Sequence, residues 1–155
     1  MTTDYIVSSL PPLAFGSPAP MSWEKFVAIC GGEGGSVLRD LDKGAWADLE
    51  TQLRNAAAEA RGGEKFKRPV DGCSLYWRDR VLACFQEKDV LRRDELLDRA
   101  WWDAAGELTS PASPLGKGAL AAYAIRLRIA IRRDGISKEN GKEAFDRLTA
   151  EKKTT

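Results

Sequence analysis

The chain contains no histidine among its 155 residues. That absence removes the most versatile general base and the commonest metal ligand. Ser-His-Asp and Cys-His catalysis are excluded with it, and only carboxylate, lysine or tyrosine chemistry is left. Cysteine is sparse: Cys30, Cys73 and Cys84 are odd in number and form no C-x-x-C pair. Reduced thiols in a cytoplasmic protein are expected, acting as packing groups rather than nucleophiles. No run approaches the roughly 20 apolar residues that a bilayer span needs. Met1-Thr2-Thr3-Asp4 lacks the basic and apolar regions of a leader peptide. Surplus charge is missing too, since 24 basic residues face 23 acidic ones for a net charge of +1. The molecule as a whole is therefore no electrostatic magnet for nucleic acid or anionic lipid. The carboxylates are scattered among arginines and lysines without a magnesium, calcium or glycosidase pattern. A protein that is not an enzyme, with no cofactor and no metal, is expected.

What is present suits a folded domain. The apolar fraction is 43% and the charged fraction 30%, and the length can bury a core without disulfides. Residues 1–150 are expected to form a single helical domain, with a frayed charged tail over 151–155. The opening, Tyr5 to Leu13, is apolar and broken by Pro11-Pro12, so it predicts an extended or one-turn segment laid on the core. Gly16, Pro18 and Pro20 mark a loop. Ser22 is a helix N-cap, and Trp23, Phe26, Val27 and Cys30 share a face of the helix that it starts. Gly31-Gly32 is expected to stop that helix. The run Gly31-Gly32-Glu33-Gly34-Gly35-Ser36 lacks the Gly-Lys-Ser/Thr ending of a phosphate loop, so it predicts a flexible connection, with Ser36 capping the next turn.

Residues 45–61 predict the cleanest amphipathic helix. Trp46, Leu49, Leu53, Ala56, Ala57 and Ala60 cluster on one side at 100° per residue, with Glu50 and Arg54 outside that stripe at i, i+4. Gly62-Gly63 ends it. After a basic loop, Asp71 or Ser74 opens a helix that buries Trp77, Val81, Cys84 and Phe85. Asp89 caps the next, on which Val90, Leu97, Trp101, Ala104 and Leu108 form one narrow stripe. Trp102 lies about 100° off it and is expected to be a second contact or partly exposed. Thr109 to Pro114 is loop.

Gly116 to Arg133 predicts a helix that is apolar on two sides. Leu120, Tyr123, Ala124, Leu127 and Ile131 make one stripe; Ala122, Ile125 and Ile129 make another. Arg126, Arg128, Arg132 and Arg133 lie along the borders. Such a helix must be covered on both sides. Asp134-Gly135 is expected to end it. Ser137 would then cap a last helix bearing Ala144, Phe145 and Leu148. The fold class is all-α: an irregular bundle of about five to six helices with an extended N-terminal segment.

Two groups of residues suggest binding. The arginines between Gly116 and Lys138 belong to a stretch with six basic residues and one acidic one. The simplest expectation is that they pair with Asp94, Glu95, Asp98, Asp103 and Glu107 of the preceding helix and lay their stems over apolar surface. An acidic protein partner comes next, and nucleic acid bound by Arg126, Arg128, Arg132 and Arg133 last. Tryptophan is a favoured interface anchor, so the candidate contact surface comprises Trp102, Ala122, Ile125, Arg126, Ile129, Arg132 and Arg133. If the second stripe is an interface, Ile125→Asp abolishes partner capture and leaves a folded monomer. If it is core, the same change unfolds the protein.

Two stretches carry a family resemblance. One is Tyr5-Ile6-Val7-Ser8-Ser9-Leu10-Pro11 with Met21-Ser22-Trp23-Glu24-Lys25-Phe26 and Cys30. The other is Asp94 to Asp103 with Leu120 to Arg132 and Gly141-Lys142-Glu143-Ala144-Phe145. Together they resemble a bacterial domain family of unknown function associated with V-type (A/V-type) ATP synthases. Some members of that family look like a shortened form of the enzyme's helical socket, the part that sits on the rotor ring and receives the central shaft. The resemblance implies a non-catalytic structural or accessory part of an ion-translocating rotary machine, held to the rotor ring or central stalk by protein contacts. It implies other V-type ATPase subunits as partners, no direct nucleic-acid binding, and a place at the inner membrane face only through those partners. A complete socket is three-lobed and much longer than this chain, which leaves a reduced equivalent or an accessory factor. No site residues carry over from the family. A stand-alone helical adaptor is the alternative expectation.

Overall fold

A computed structural model describes residues 2–70 and 72–153. Among these residues the chain is all-α, without strands; one isolated bridge joins Ser110 and Ser113. The six helices are α1 (Thr3–Ser9), α2 (Trp23–Arg39), α3 (Gly44–Ala60), α4 (Leu75–Cys84), α5 (Val90–Ala105) and α6 (Lys117–Lys153). Short 3-10 turns follow α3 at Glu64–Phe66 and α5 at Gly106–Leu108. No helix among the described residues is long and apolar enough to cross a membrane.

The caps expected from sequence are in place. The Ser22, Ser74 and Asp89 side chains accept from the backbone N–H groups of Lys25, Trp77 and Leu91, satisfying donors that a helix start leaves free. Asp71, the other candidate opener of α4, lies outside the described residues. Gly62 ends α3 at φ 74°, a conformation that L side chains resist.

Three segments differ from expectation. The N-terminal stretch is laid on the core, yet Thr3–Ser9 winds into a helix capped by Thr2 and becomes extended only at Leu10. Ile6, fully buried, anchors it. Burial of one face outweighs the poor helix propensity of so short a segment. In α2, Gly31 leaves helical geometry at φ 60°, ψ −152°, but the helix resumes at once and runs to Arg39. Ser36 is therefore inside it, donating to the Glu33 carbonyl at 2.9 Å. Gly34 is buried in this second half; a Cβ there would lie 2.7 Å from Cys30 Cβ and 3.4 Å from Leu120. The glycine run thus permits close contact between α2 and α6. Finally, Asp134-Gly135 ends nothing: α6 is one helix of 37 residues, about 55 Å long at 1.5 Å per residue. Residues 151–153 continue it, while 154–155 lie outside the described residues.

The central element is α6, which packs against α1 and α2 and against α5. Leu120, Ala124 and Leu127 are fully buried, and Ala122, Ile125 and Ala130 nearly so. α3 and α4 complete the bundle through Trp46, Leu49, Leu53, Trp77 and Val81. Glu59 of α3 accepts from Arg78 of α4 and from Lys67 in the loop between them. The hydrogen bonds from Arg78 and Lys67, and after them the two charges, hold the Glu59 carboxyl below its ordinary value. Such a depressed group stabilises the fold above the unfolded carboxylate range, and the contribution is lost as pH falls through the depressed value.

The glycines give a paired test. A Cβ on Gly118 would sit 1.9 Å from the Leu108 carbonyl oxygen, whereas one on Gly135 would meet nothing within 4 Å. Gly118→Ala should destabilise by about 1–3 kcal/mol through overpacking against backbone. Gly135→Ala should stabilise by about 0.5–1 kcal/mol through helix propensity. Urea denaturation monitored by circular dichroism measures both.

Candidate docking groove

Most of the surface that sequence patterning offers as a contact face is interior. Trp102 is 6% exposed, Ala122 3% and Ile125 4%. This corrects the expectation of a docking stripe on those three residues: α6 meets helices on both sides, and of the second stripe only Ile129 is left half-buried. The cover over Trp102 is Phe15, from the loop after α1, whose ring meets the indole edge-on at 5.5 Å. Arg99 and Arg133 lie over the Phe15 ring at 5.1 and 5.2 Å. The loop is tied down by Ala19 N–H donating to Asp134 Oδ2 at 2.9 Å, and by Tyr123 Oη donating to the Pro11 carbonyl at 2.8 Å.

The arginines of α6 are also largely engaged. Arg126 Nε donates to the Trp102 carbonyl at 2.9 Å, and its guanidinium lies over the Trp102 ring at 5.6 Å. Burial pulls its pKa below the ordinary value. Gly106 leaves the room it needs, since a Cβ there would be 2.8 Å from Arg126 Nη2. Arg133 pairs with Asp98 at 2.9 Å, and Arg132 with Asp98 and with Asp94, the latter at 3.8 Å. Arg128 pairs with Asp42 at 3.3 Å and lies over Trp23 at 4.9 Å. Pairing with the preceding helix is thus seen for Asp94 and Asp98. Asp103 instead takes Arg80 and Arg99, and Glu107 accepts from Trp77 Nε1 at 2.6 Å.

An open apolar surface remains elsewhere. α3, α5 and α6 border a groove of about 610 Å³. Ala57 and Ala58 of α3, Leu97 and Trp101 of α5, and Ile129 of α6 line it, and Phe66 of the first 3-10 turn stands at one edge. Phe66 is 71% exposed, while Leu97, Trp101 and Ile129 are half-buried. The alanines keep α3 low, so the indole and the isoleucine stand as walls. Arg54, Arg61, Asp98 and Arg132 form the rim. Of the residues proposed from sequence, Ile129 and Arg132 belong to this groove and Trp102, Ala122, Ile125, Arg126 and Arg133 do not. The tryptophan in the groove is Trp101, which patterning assigns to the core stripe. Its stripe partners Leu97 and Leu108 are also only half-buried and Val90 is 69% exposed, so the stripe is only partly covered along its length.

Two of the three thiols, Cys30 and Cys84, are buried packing groups, and Cys73 is exposed. Burial pushes Cys30 and Cys84 up from the ordinary thiol value, and Cys84 Sγ donates to the Arg80 carbonyl at 3.2 Å. Among the described residues no cluster of three or more His, Cys, Asp or Glu could hold a metal ion.

Ile125→Asp should cost several kcal/mol, the penalty of a buried unpaired carboxylate, and should unfold most of the protein. Trp101→Phe, at the groove wall, should change stability by less than about 1.5 kcal/mol. Thermal melts of both variants beside the parent decide between core and surface for each position. Comparison of the chain with protein families, with characterised proteins and with solved structures finds no match to any of them.

Proposed function

We propose that this protein is a non-catalytic structural or accessory component of a V-type ATPase or ATP synthase, acting by protein–protein contact through the groove between α3, α5 and α6. The observation that carries docking is the groove itself. A half-buried indole, an exposed phenylalanine and small alanines around about 610 Å³ match the aromatic-centred, polar-rimmed anatomy of binding surfaces. The V-type assignment rests on the family resemblance. The stretches that carry it fall on α1, the start of α2, α5 and α6, and these helices pack on one another, so the resemblance covers one connected part of the fold. The partners in this reading are the rotor ring or the central stalk. The protein would then work in the cytoplasm, at the inner membrane face by way of those subunits. Nucleic acid is disfavoured, because the arginines that would serve it are paired with carboxylates or stacked on rings.

Affinity capture from native membranes followed by mass spectrometry tests the reading. Rotor or stalk subunits should be retained by the parent protein and lost from Trp101→Ala and, independently, from Phe66→Ser. The second change is on an exposed side chain and leaves the fold intact. Retention of no ATPase subunit by the parent would leave a stand-alone adaptor in place of the V-type reading.

A further inference from the structure

The groove has a charge signature, and it narrows the chemistry of what fits there. Among the described residues, Arg61 at the rim takes part in no ion pair; its guanidinium lies over the Phe85 ring at 5.2 Å. Arg93 of α5 lies over the same ring at 5.6 Å, with Nε donating to the Glu87 carbonyl at 3.1 Å, and is likewise in no ion pair among those residues. One aromatic ring thus contacts two cations that take part in no ion pair among the described residues; Arg61 lines the groove, and Arg93 stands one turn of α5 beyond Leu97, just outside its lining. Arg54 adds a third, paired to Glu50 at 2.5 Å but with its side chain 71% exposed. The rim carboxylate, Asp98, is already engaged by Arg132 and Arg133. The floor is apolar and the free charge around it is positive.

The spacing fits a helix. Arg93, Leu97 and Trp101 recur every four residues on α5, so they form a row about 12 Å long at 1.5 Å per residue. A partner helix that places apolar side chains at i, i+3 or i+4, and i+7 covers about 10 Å. We infer that the groove receives an amphipathic helix whose apolar anchors sit against Trp101, Leu97 and Ile129 and whose flanking carboxylates meet Arg61, Arg93 and Arg54. This rests on the docking reading above and adds the partner's charge and shape to it. The far half of α6 from a second copy is a poorer occupant. From Ser137 to Ala150 it carries Lys138, Lys142 and Arg147 against Glu139, Glu143 and Asp146, and so has no surplus of negative charge to offer.

The test uses the full chain and two synthetic amphipathic helices of about 16 residues, with identical leucines at i, i+3 and i+7. One carries aspartate and glutamate at the flanks, the other lysine. Fluorescence anisotropy measures affinity, and hydrogen exchange locates the contact. The acidic helix should bind at least about tenfold more tightly than the basic one. Its affinity should fall as salt rises and should drop at least about tenfold in the Arg61→Glu, Arg93→Glu double variant. Protection should appear over α3, α5 and the Ile129 turn of α6. Equal or tighter binding of the basic helix, with protection at the groove, would overturn the acidic partner and keep the docking reading. No protection at the groove by either helix would overturn both. A dimer of the free protein that either helix dissociates, and that Phe145→Asp abolishes, would replace the acidic partner with a second copy.

Discussion

The fold depends on one helix that is apolar on two opposite sides. The first half of α6 buries two opposite sides, Leu120, Ala124 and Leu127 on one and Ala122 and Ile125 on the other, and leaves only narrow borders to water. Water exclusion on both sides at once is what gathers the other elements: α1 and α2 against one, α5 against the other. α3 and α4 then close over α5 and extend the core through Trp46, Leu53, Trp77 and Val81. At about 1.5–3 kcal/mol for each large side chain removed from water, this burial outweighs any single surface pair, whose contribution is about 0–1 kcal/mol.

The arginines of α6 follow from the same constraint. With apolar side chains on two faces, charged residues are left only the narrow borders, where neighbouring helices are already close. There a guanidinium can lie flat over a ring and still reach a carboxylate. Arg128 does this with Trp23 and Asp42, and Arg133 with Phe15 and Asp98. Arg126 meets a ring and a backbone carbonyl instead. Packing geometry is thus enough to account for their density along the chain.

Much of the fold was legible in the sequence. The caps at Ser22, Ser74 and Asp89, the α3 stripe and the two-sided character of α6 are local patterns, set by side-chain chemistry within a turn or two. What escaped was long-range. Nothing near Trp102 in the chain announces that Phe15, far away in sequence, will cap it. The glycine runs misled in the other direction. Gly34 and Gly118 signal close approach of helix to helix or helix to turn, which only the partner's position reveals, whereas at Gly135 in α6 an added Cβ would meet open space. The groove was half legible: Ile129 and Arg132 stood among the candidates, while Trp101 looked like core because period alone cannot say how far a covering helix extends.

The uninterrupted course of α6 has a mechanical side. Ile129 lines the groove, and Phe145 and Leu148, 69% and 60% exposed, lie farther along the same helix. Sixteen residues separate Ile129 from Phe145, a distance of about 24 Å along the axis. Without a loop between them, a tilt imposed at the outer end passes inward as the swing of a rod, and a wedge set beside Ile129 swings the outer end in turn. The soft points on that rod are Gly135 and Gly141, each costing a helix about 1 kcal/mol relative to alanine, and at both an added Cβ would find open space, so the outer half of the rod can be stiffened without disturbing its packing.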